Sequence, residues 1–254
     1  HISFVVGLVF IFYSWKKIDH NKKNFKIPYI DIIFSILVVV SALYLPLLPP
    51  ELLASRVGNP ENLEIIMGSF LIILTLEAAR RSIGFTLPFI CILFILFAIF
   101  GPYFPGALKH GGASWVGFVN HIYLTNQGIY GIAVGVMAQY VFLFILFGVL
   151  ATRIGLGQLF IDLAMVIAGK YSGGPAKVAI FSSAFLGTIS GSSIANTVTT
   201  GSLTIPAMKK VGYPPHFSGA VEATASTGGQ ITPPILGAAA FIMVEYLEVP
   251  LRDI

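Results

Sequence analysis

The chain has 254 residues, of which 56% are hydrophobic and only 10% charged, and its mean hydropathy is +0.87. A soluble domain of average composition carries roughly 25% charged residues, so a water-soluble globular fold is excluded. The net charge of +4 does not point to nucleic acid, because the basic residues sit in short gaps between apolar runs, where retention on the cytoplasmic side of a membrane accounts for them.

In chain order, residues 1–15 read as the end of an apolar membrane helix. The chain opens on His1 with no charged region before this run and no small-residue cleavage site after it, so it does not read as a signal peptide and is expected to be a fragment. A bilayer-spanning helix needs about 20 mostly apolar residues. Four further runs approach that length: 27–49, 62–79, 84–104 and 129–151. Between residues 1–15 and the run at 27–49 lie Lys16, Lys17, Lys22, Lys23 and Lys26, which the positive-inside rule assigns to the cytoplasm. Counting onward puts Pro49, Pro50, Glu51 and Glu61 outside, Arg80 and Arg81 inside, 105–128 outside and Arg153 inside; Arg56 and Lys109 are the outer exceptions. Trp115, Phe118, Val119, Ile122 and Tyr123 recur at helical spacing and predict a short helix in the membrane interface. His121 within it has no second ligand three or four residues away and reads as an interfacial polar residue. Cys91, the one cysteine, lies inside an apolar run.

From residue 157 the texture changes. The segment GQLFIDLAMVIA is too short to span and predicts an amphipathic helix with Asp162 on its wet face. No charged residue then lies between Lys177 and Lys209. If Lys177 and Lys209-Lys210 share the cytoplasmic side, the stretch between them enters and returns as a re-entrant hairpin, with arms at 176–187 and 197–208 and a tip at 188–196. Irregular backbone at that depth is tolerated only where protein or a water-filled cavity surrounds it. Gly191 permits a tight tip, and Ser190, Ser192, Ser193 and Asn196 offer uncharged oxygens beside helix ends. Such oxygens suit a hard monovalent cation such as Na+, and the start of the returning arm suits a carboxylate. Close packing by small residues, with Gly187 and Gly191 as a GxxxG pair, is the competing reading.

The next segment, 214–247, is interrupted by Thr227, Gly228, Gly229, Gln230, Ile231, Thr232, Pro233 and Pro234. Gly weakens a helix and Pro removes backbone bonds, which predicts a helix broken near mid-membrane. Thr227, Gly228, Gly229, Gln230 and Thr232 are the candidates there. A broken helix after a hairpin is how secondary transporters present backbone carbonyls and half-helix ends to an ion and its substrate. Glu222 could serve as a proton relay or cation ligand, but it lies within two turns of the expected cytoplasmic end and reads instead as an interfacial or interdomain partner. An enzyme alternative is an intramembrane serine hydrolase with Ser193 as nucleophile, but no histidine is placed to act as its base. No P-loop, HExxH or metal-spaced cysteine set is present, and no organic cofactor is expected.

The segments GTISGSSIANTVTTGSLTIPAMKKVGY, 187–213, and GAVEATASTGGQITPPILGAAAF, 219–241, resemble the large membrane subunit of tripartite ATP-independent periplasmic (TRAP) transporters, through the GxISGSS tip, the IPxMKxxGY exit and the paired prolines. The upstream spans resemble, by helix count and order, the small membrane subunit joined to the large one in fused permeases that work with TAXI-type binding proteins. The resemblance implies an all-α, polytopic, elevator-type fold: residues 1–125 as scaffold helices, and 126–254 as the N-terminal part of the transport domain, with the hairpin at about 175–210 and the broken helix at about 215–247 in the first of two inverted repeats. It implies a bacterial or archaeal cytoplasmic-membrane permease that receives a small organic acid, such as a C4-dicarboxylate, from a periplasmic solute-binding protein and imports it on a Na+ gradient, or H+ in some cases. The positions carried over for the Na+ and substrate site are Ser190, Gly191, Ser192, Ser193 and Asn196 at the tip, with Thr227, Gly228, Gly229 and Thr232 at the break. A carboxylate/Na+ symporter that needs no binding protein is the alternative of the same class.

Overall fold

The computed structural model describes residues 1–15, 28–234 and 236–254. The lysines at 16, 17, 22, 23 and 26, on which the topology reading leans most, lie outside the described residues. Every described element is helical, as expected. The chain divides into two compact units, 1–134 and 135–254.

The first unit contains α1 (Ile2–Phe12), α2 (Tyr29–Leu47), α3 (Pro50–Arg56), α4 (Asn62–Ser82), α5 (Thr86–Ile99) and α6 (Trp115–Val119), which runs into a π-helical turn, Asn120–Leu124. Its core is Phe10 from α1, Val38, Ala42 and Leu45 from α2, Leu71, Leu74 and Ala78 from α4, and Val119 and Tyr123 from the α6 region. Gly68 lets the last of these approach: a Cβ there would lie 2.6 Å from Val119 Cγ1 and 2.9 Å from the Tyr123 ring. The buried Tyr123 hydroxyl donates to Ser41 O at 2.6 Å. Tyr123→Phe is therefore expected to cost about 1 kcal/mol, read as a lowered unfolding midpoint of the purified protein.

The ends of these helices are tied by charge. At one end Glu61 and Glu64 form a capping box on α4, and Arg56 reaches Glu61 at 2.5 Å. At the other, Asp31 of α2 meets Arg81 of α4 at 2.7 Å and also accepts from Ser14 and Trp15 beyond α1. Arg80 and Arg81, which the sequence places on the inner side, are both bound to Glu77, and Arg81 also forms the enclosed ion pair with Asp31.

Among the described residues, three helices are long and apolar enough to cross a membrane: Tyr29–Leu47, Asn62–Ser82 and Ile132–Arg153. The run at 84–104, expected to span, is shorter as a helix. Its 14 residues rise about 21 Å, because the chain leaves the helix at Gly101-Pro102 and turns back so that Ala113 N donates to Ala98 O. Pro88 is the buried residue of α5, whereas Phe89, Ile90, Leu93 and Phe94 are exposed. An uncovered apolar surface of that extent fits lipid tails rather than water.

The second unit starts in the helical stretch Ile132–Arg153, which comprises α7 (Ile132–Val136), a π-helical turn at Met137–Val141 and α8 (Phe142–Arg153). There follow α9 (Leu156–Ala168), α10 (Gly174–Ser190), α11 (Ser193–Lys210), α12 (Pro215–Gly228) and α13 (Ala238–Leu247). Helix α9 is amphipathic as expected, burying Gly157, Ile161, Ala164 and Ala168 while Asp162 stays exposed and accepts from Gln158 Nε2. Helices α10 and α11 form an antiparallel hairpin, with α12 packed across both.

The hairpin arms are longer than the sequence reading allowed. The 17 and 18 residues of α10 and α11 rise about 26 and 27 Å, and the irregular tip contracts from 188–196 to Gly191-Ser192. Two residues suffice because Gly191 takes a left-handed conformation, φ +54°, that ends α10. Ser192 then caps α11, its Oγ accepting from Ala195 N at 3.3 Å. The predicted broken helix is present as α12, a 3-10 turn at Gly229–Ile231, non-helical backbone at 232–234 and 236–237, and α13.

Candidate site at the hairpin turn and the helix break

The turn between α10 and α11 lies directly against the break between α12 and α13. Gly187 faces Gly229 so closely that a Cβ on Gly187 would lie 2.5 Å from Gly229 Cα, and a Cβ on Gly191 would overlap Leu236 O. These glycines hold two backbones in contact where any side chain would part them. Gln230 Nε2 donates to Ser193 Oγ at 3.0 Å, and Gly237 N donates to Gln230 O at 2.6 Å, so the broken segment is fastened to the first turn of α11 and folded back on itself.

The structure brings together part of the predicted set. Gly191, Ser193, Asn196, Gly229 and Gln230 meet at this junction. Asn196 is fully buried and donates through Nδ2 to Ser183 O at 2.8 Å. Ser190 and Ser192 line a neighbouring cavity of about 320 Å³ with Gly148 and Thr152 of α8 and Ala195 and Thr199 of α11. Ser190 Oγ is buried and, among the described residues, has no hydrogen-bond partner. A buried hydroxyl left without a partner costs free energy, and a ligand oxygen or a cation at this point would complete its bonding. Thr232 and Gly228 face a different groove, of about 580 Å³, bordered by Ile180 and Ala184 of α10 and by Phe217, Val221 and Thr224 of α12. Thr232 Oγ1 donates to Gly228 O and Thr227 Oγ1 to Ala223 O, so both hydroxyls are engaged within their own segment.

The junction offers electrostatics without formal charge. The C-terminal end of α10, the N-terminal end of α11 and the C-terminal end of α12 converge on it, presenting carbonyls to a cation and amide N–H groups to an anion. Ser193, the nucleophile of the hydrolase alternative, accepts from Gln230 Nε2, and among the described residues its hydroxyl has no histidine to donate to. His216 lies in the first turn of α12, a 14-residue helix whose far end forms the break.

The sequence reading misplaced Glu222. Instead of facing an interface, it is fully buried between α10, α11 and α12, accepting from Ser226 Oγ at 3.0 Å and from Thr200 and Thr204. Two polar stripes at four-residue spacing, Asn196, Thr200 and Thr204 on α11 and Ser218, Glu222 and Ser226 on α12, carried the signal.

An all-helical membrane fold, a hairpin turned by a left-handed glycine and a helix broken against it define the class: a transporter-type polytopic membrane protein. Residues 70–254 match the family model "Tripartite ATP-independent periplasmic transporter, DctM component", and the chain belongs to that family, whose members are transporter components and not enzymes. The match begins upstream of residue 126, where the large-subunit-like part was expected to start. Similar proteins include the isethionate TRAP transporter permease protein DctMQ of Oleidesulfovibrio alaskensis, 41% identical over 91 residues, 36% of this chain and 14% of that one. The C4-dicarboxylate TRAP transporter large permease protein DctM of Rhodobacter capsulatus is 33% identical over 103 residues, 41% of this chain and 22% of that one. The 2,3-diketo-L-gulonate TRAP transporter large permease protein YiaN of Escherichia coli is 30% identical over 100 residues, 39% of this chain and 23% of that one. The chain thus aligns with less than a quarter of the length of each of these three relatives. No solved structure matches.

Proposed function

We propose that the chain is part of the permease of a secondary active importer in the bacterial inner membrane, which takes a small organic acid from a periplasmic solute-binding protein and carries it inward on a Na+ or H+ gradient. The observation that carries this reading is the apposition of the hairpin turn at Gly191-Ser192 with the break at Gly229–Ile231, beside the orphaned Ser190 hydroxyl. The relatives' names carry three different organic anions, which supports the substrate class and leaves the individual acid to the binding protein. Residues 1–125 serve in this proposal as small-subunit-like scaffold helices fused to the large subunit, as in TAXI systems, and 126–254 as the first half of the transport domain. Ser190, Gly191, Ser192, Ser193, Asn196, Thr227, Gly228, Gly229 and Thr232 are the proposed ion- and substrate-binding positions.

The test is uptake by the full-length permease in proteoliposomes. Accumulation is expected only with both the binding protein and an inward cation gradient; uptake indifferent to the binding protein selects the simpler symporter instead. Ser190→Ala removes a hydroxyl that bonds nothing among the described residues, so its expected effect on the unfolding free energy is under about 1 kcal/mol. Its expected effect on transport is a raised cation or substrate concentration for half-maximal uptake. Unchanged concentration dependence would remove Ser190 from the site.

A further inference from the structure

Glu222 sits in a cage built by three helices. Ser183 comes from α10, Thr200 and Thr204 from α11, and Ser226 with Glu222 from α12; each of these side chains is 0–2% exposed. Oε1 accepts from Thr200 Oγ1, from Ser226 Oγ at 3.0 Å and from Ser183 Oγ at 3.4 Å, and Oε2 accepts from Thr204 Oγ1. The carboxyl reaches α11 because Gly201 has no side chain; a Cβ there would stand 3.0 Å from Glu222 Cγ. Among the described residues Glu222 has no ion-pair partner. The ionisable residues on the helices packed around it are Lys177 on α10, Lys209 and Lys210 on α11, and His216 on α12. All four are exposed, at the ends of those helices away from the turn and break, and none faces the cage.

A carboxylate enclosed with no counter-cation depends entirely on its hydrogen-bond donors, and the cage hydroxyls have a second use. Thr200 Oγ1 also lies 2.9 Å from Asn196 O, and Thr204 Oγ1 lies 3.0 Å from Thr200 O. A hydroxyl has one hydrogen and two acceptor sites. With Glu222 ionised, the threonine hydrogens turn toward the carboxylate. With Glu222 protonated, one threonine turns its hydrogen to its helix carbonyl and accepts the carboxylic O–H. Both states are satisfied with every heavy atom in place. The cage also touches the candidate site: Thr200 Oγ1 is 3.4 Å from Asn196 Oδ1, and Asn196 Nδ2 holds Ser183 O beside Gly229.

We propose that Glu222 is a proton-binding site of the transport unit. One proton from the outer solution forms the Glu222 O–H bond, travels with the substrate-loaded unit and is released to the inner solution as that bond breaks, with no redox step. The inference rests on the cation-driven transport reading above and names one ion that it carries.

The experiment uses the full-length permease with its binding protein in proteoliposomes. A pH gradient, acid outside with Na+ equal on both sides, is expected to drive accumulation, and substrate entry is expected to draw protons from a lightly buffered medium. Glu222→Gln, which keeps the shape and removes the titration, is expected to abolish uphill accumulation while retaining substrate exchange at equilibrium. A Glu222→Gln protein that still accumulates substrate on the pH gradient overturns the proposal. So does a correctly folded variant that loses exchange along with accumulation. The proton measurement on the unmodified protein stands without any variant: entry driven by a Na+ gradient with no proton movement overturns the Glu222 site and leaves the transport reading intact. Failure of every gradient to drive uptake overturns both.

Discussion

Arg81→Ala is expected to lower the stability of the first unit by about 3–5 kcal/mol, the cost of removing one partner of a buried ion pair. The Arg81 side chain is 4% exposed and that of Asp31 0%. Arg81 Nη1 meets Asp31 Oδ1 at 2.7 Å, its Nε donates to Glu77 at 2.8 Å, and its guanidinium lies over the rings of Phe10, Trp15 and Phe34. Alanine would leave the Asp31 carboxylate enclosed with, among the described residues, only Ser14 Oγ and Trp15 N as donors. The double variant Asp31→Asn/Arg81→Gln removes both charges together and should recover part of the loss. Chemical or thermal unfolding of the detergent-solubilised full-length protein measures both, and a single-variant effect below about 1 kcal/mol, the range of an exposed pair, would contradict the enclosed geometry.

Gly187→Val should part the hairpin from the break. Its Cβ would lie 2.5 Å from Gly229 Cα and 2.8 Å from Gly229 O, both backbone atoms that move only if the 3-10 turn moves. Overpacking of this kind costs about 1–3 kcal/mol, and because the displaced segment carries the candidate site, loss of transport is expected to exceed the loss of stability. Gly219→Ala on the same unit is the control: no atom stands within 4 Å of its Cβ, and removing a helix glycine should raise stability by roughly 0.5–1 kcal/mol. A Gly187→Val protein with normal uptake would show that the junction is only a packing contact.

What was legible in the sequence is what local chemistry dictates. Gly191 and Ser192 announce a turn because one supplies φ > 0 and the other a cap. Gly228, Gly229 and the Pro233-Pro234 pair announce a break because they withdraw helix bonds. Ser190 and Ser192 were singled out as polar groups between apolar arms, and they border a cavity. What was not legible depends on partners distant in sequence. Asp31 and Arg81 are 50 residues apart and Ser183 and Glu222 are 39 apart, so neither pairing is written in any local pattern. The separation of Thr232 from Ser192 into different recesses has the same origin, since it is set by how α12 rotates across the hairpin. Helix α5 fell short of the expected span because a run of apolar residues says nothing about the buried Gly101 turn that ends it.

The central claim is that the hairpin turn, set against the broken helix, holds the transported ion and substrate. Ala195 is exposed in the first turn of α11 and lines the same cavity as Ser190 and Ser192, so a thiol placed there reports on occupancy. The measurement is the rate at which a water-soluble thiol reagent labels Ala195→Cys, made in a cysteine-free background of the full-length permease, Cys91→Ser included, in vesicles. Substrate-loaded binding protein together with the driving cation should slow labelling, and omitting either should restore the fast rate. A labelling rate unchanged by substrate and cation, in vesicles that transport normally, would contradict the account.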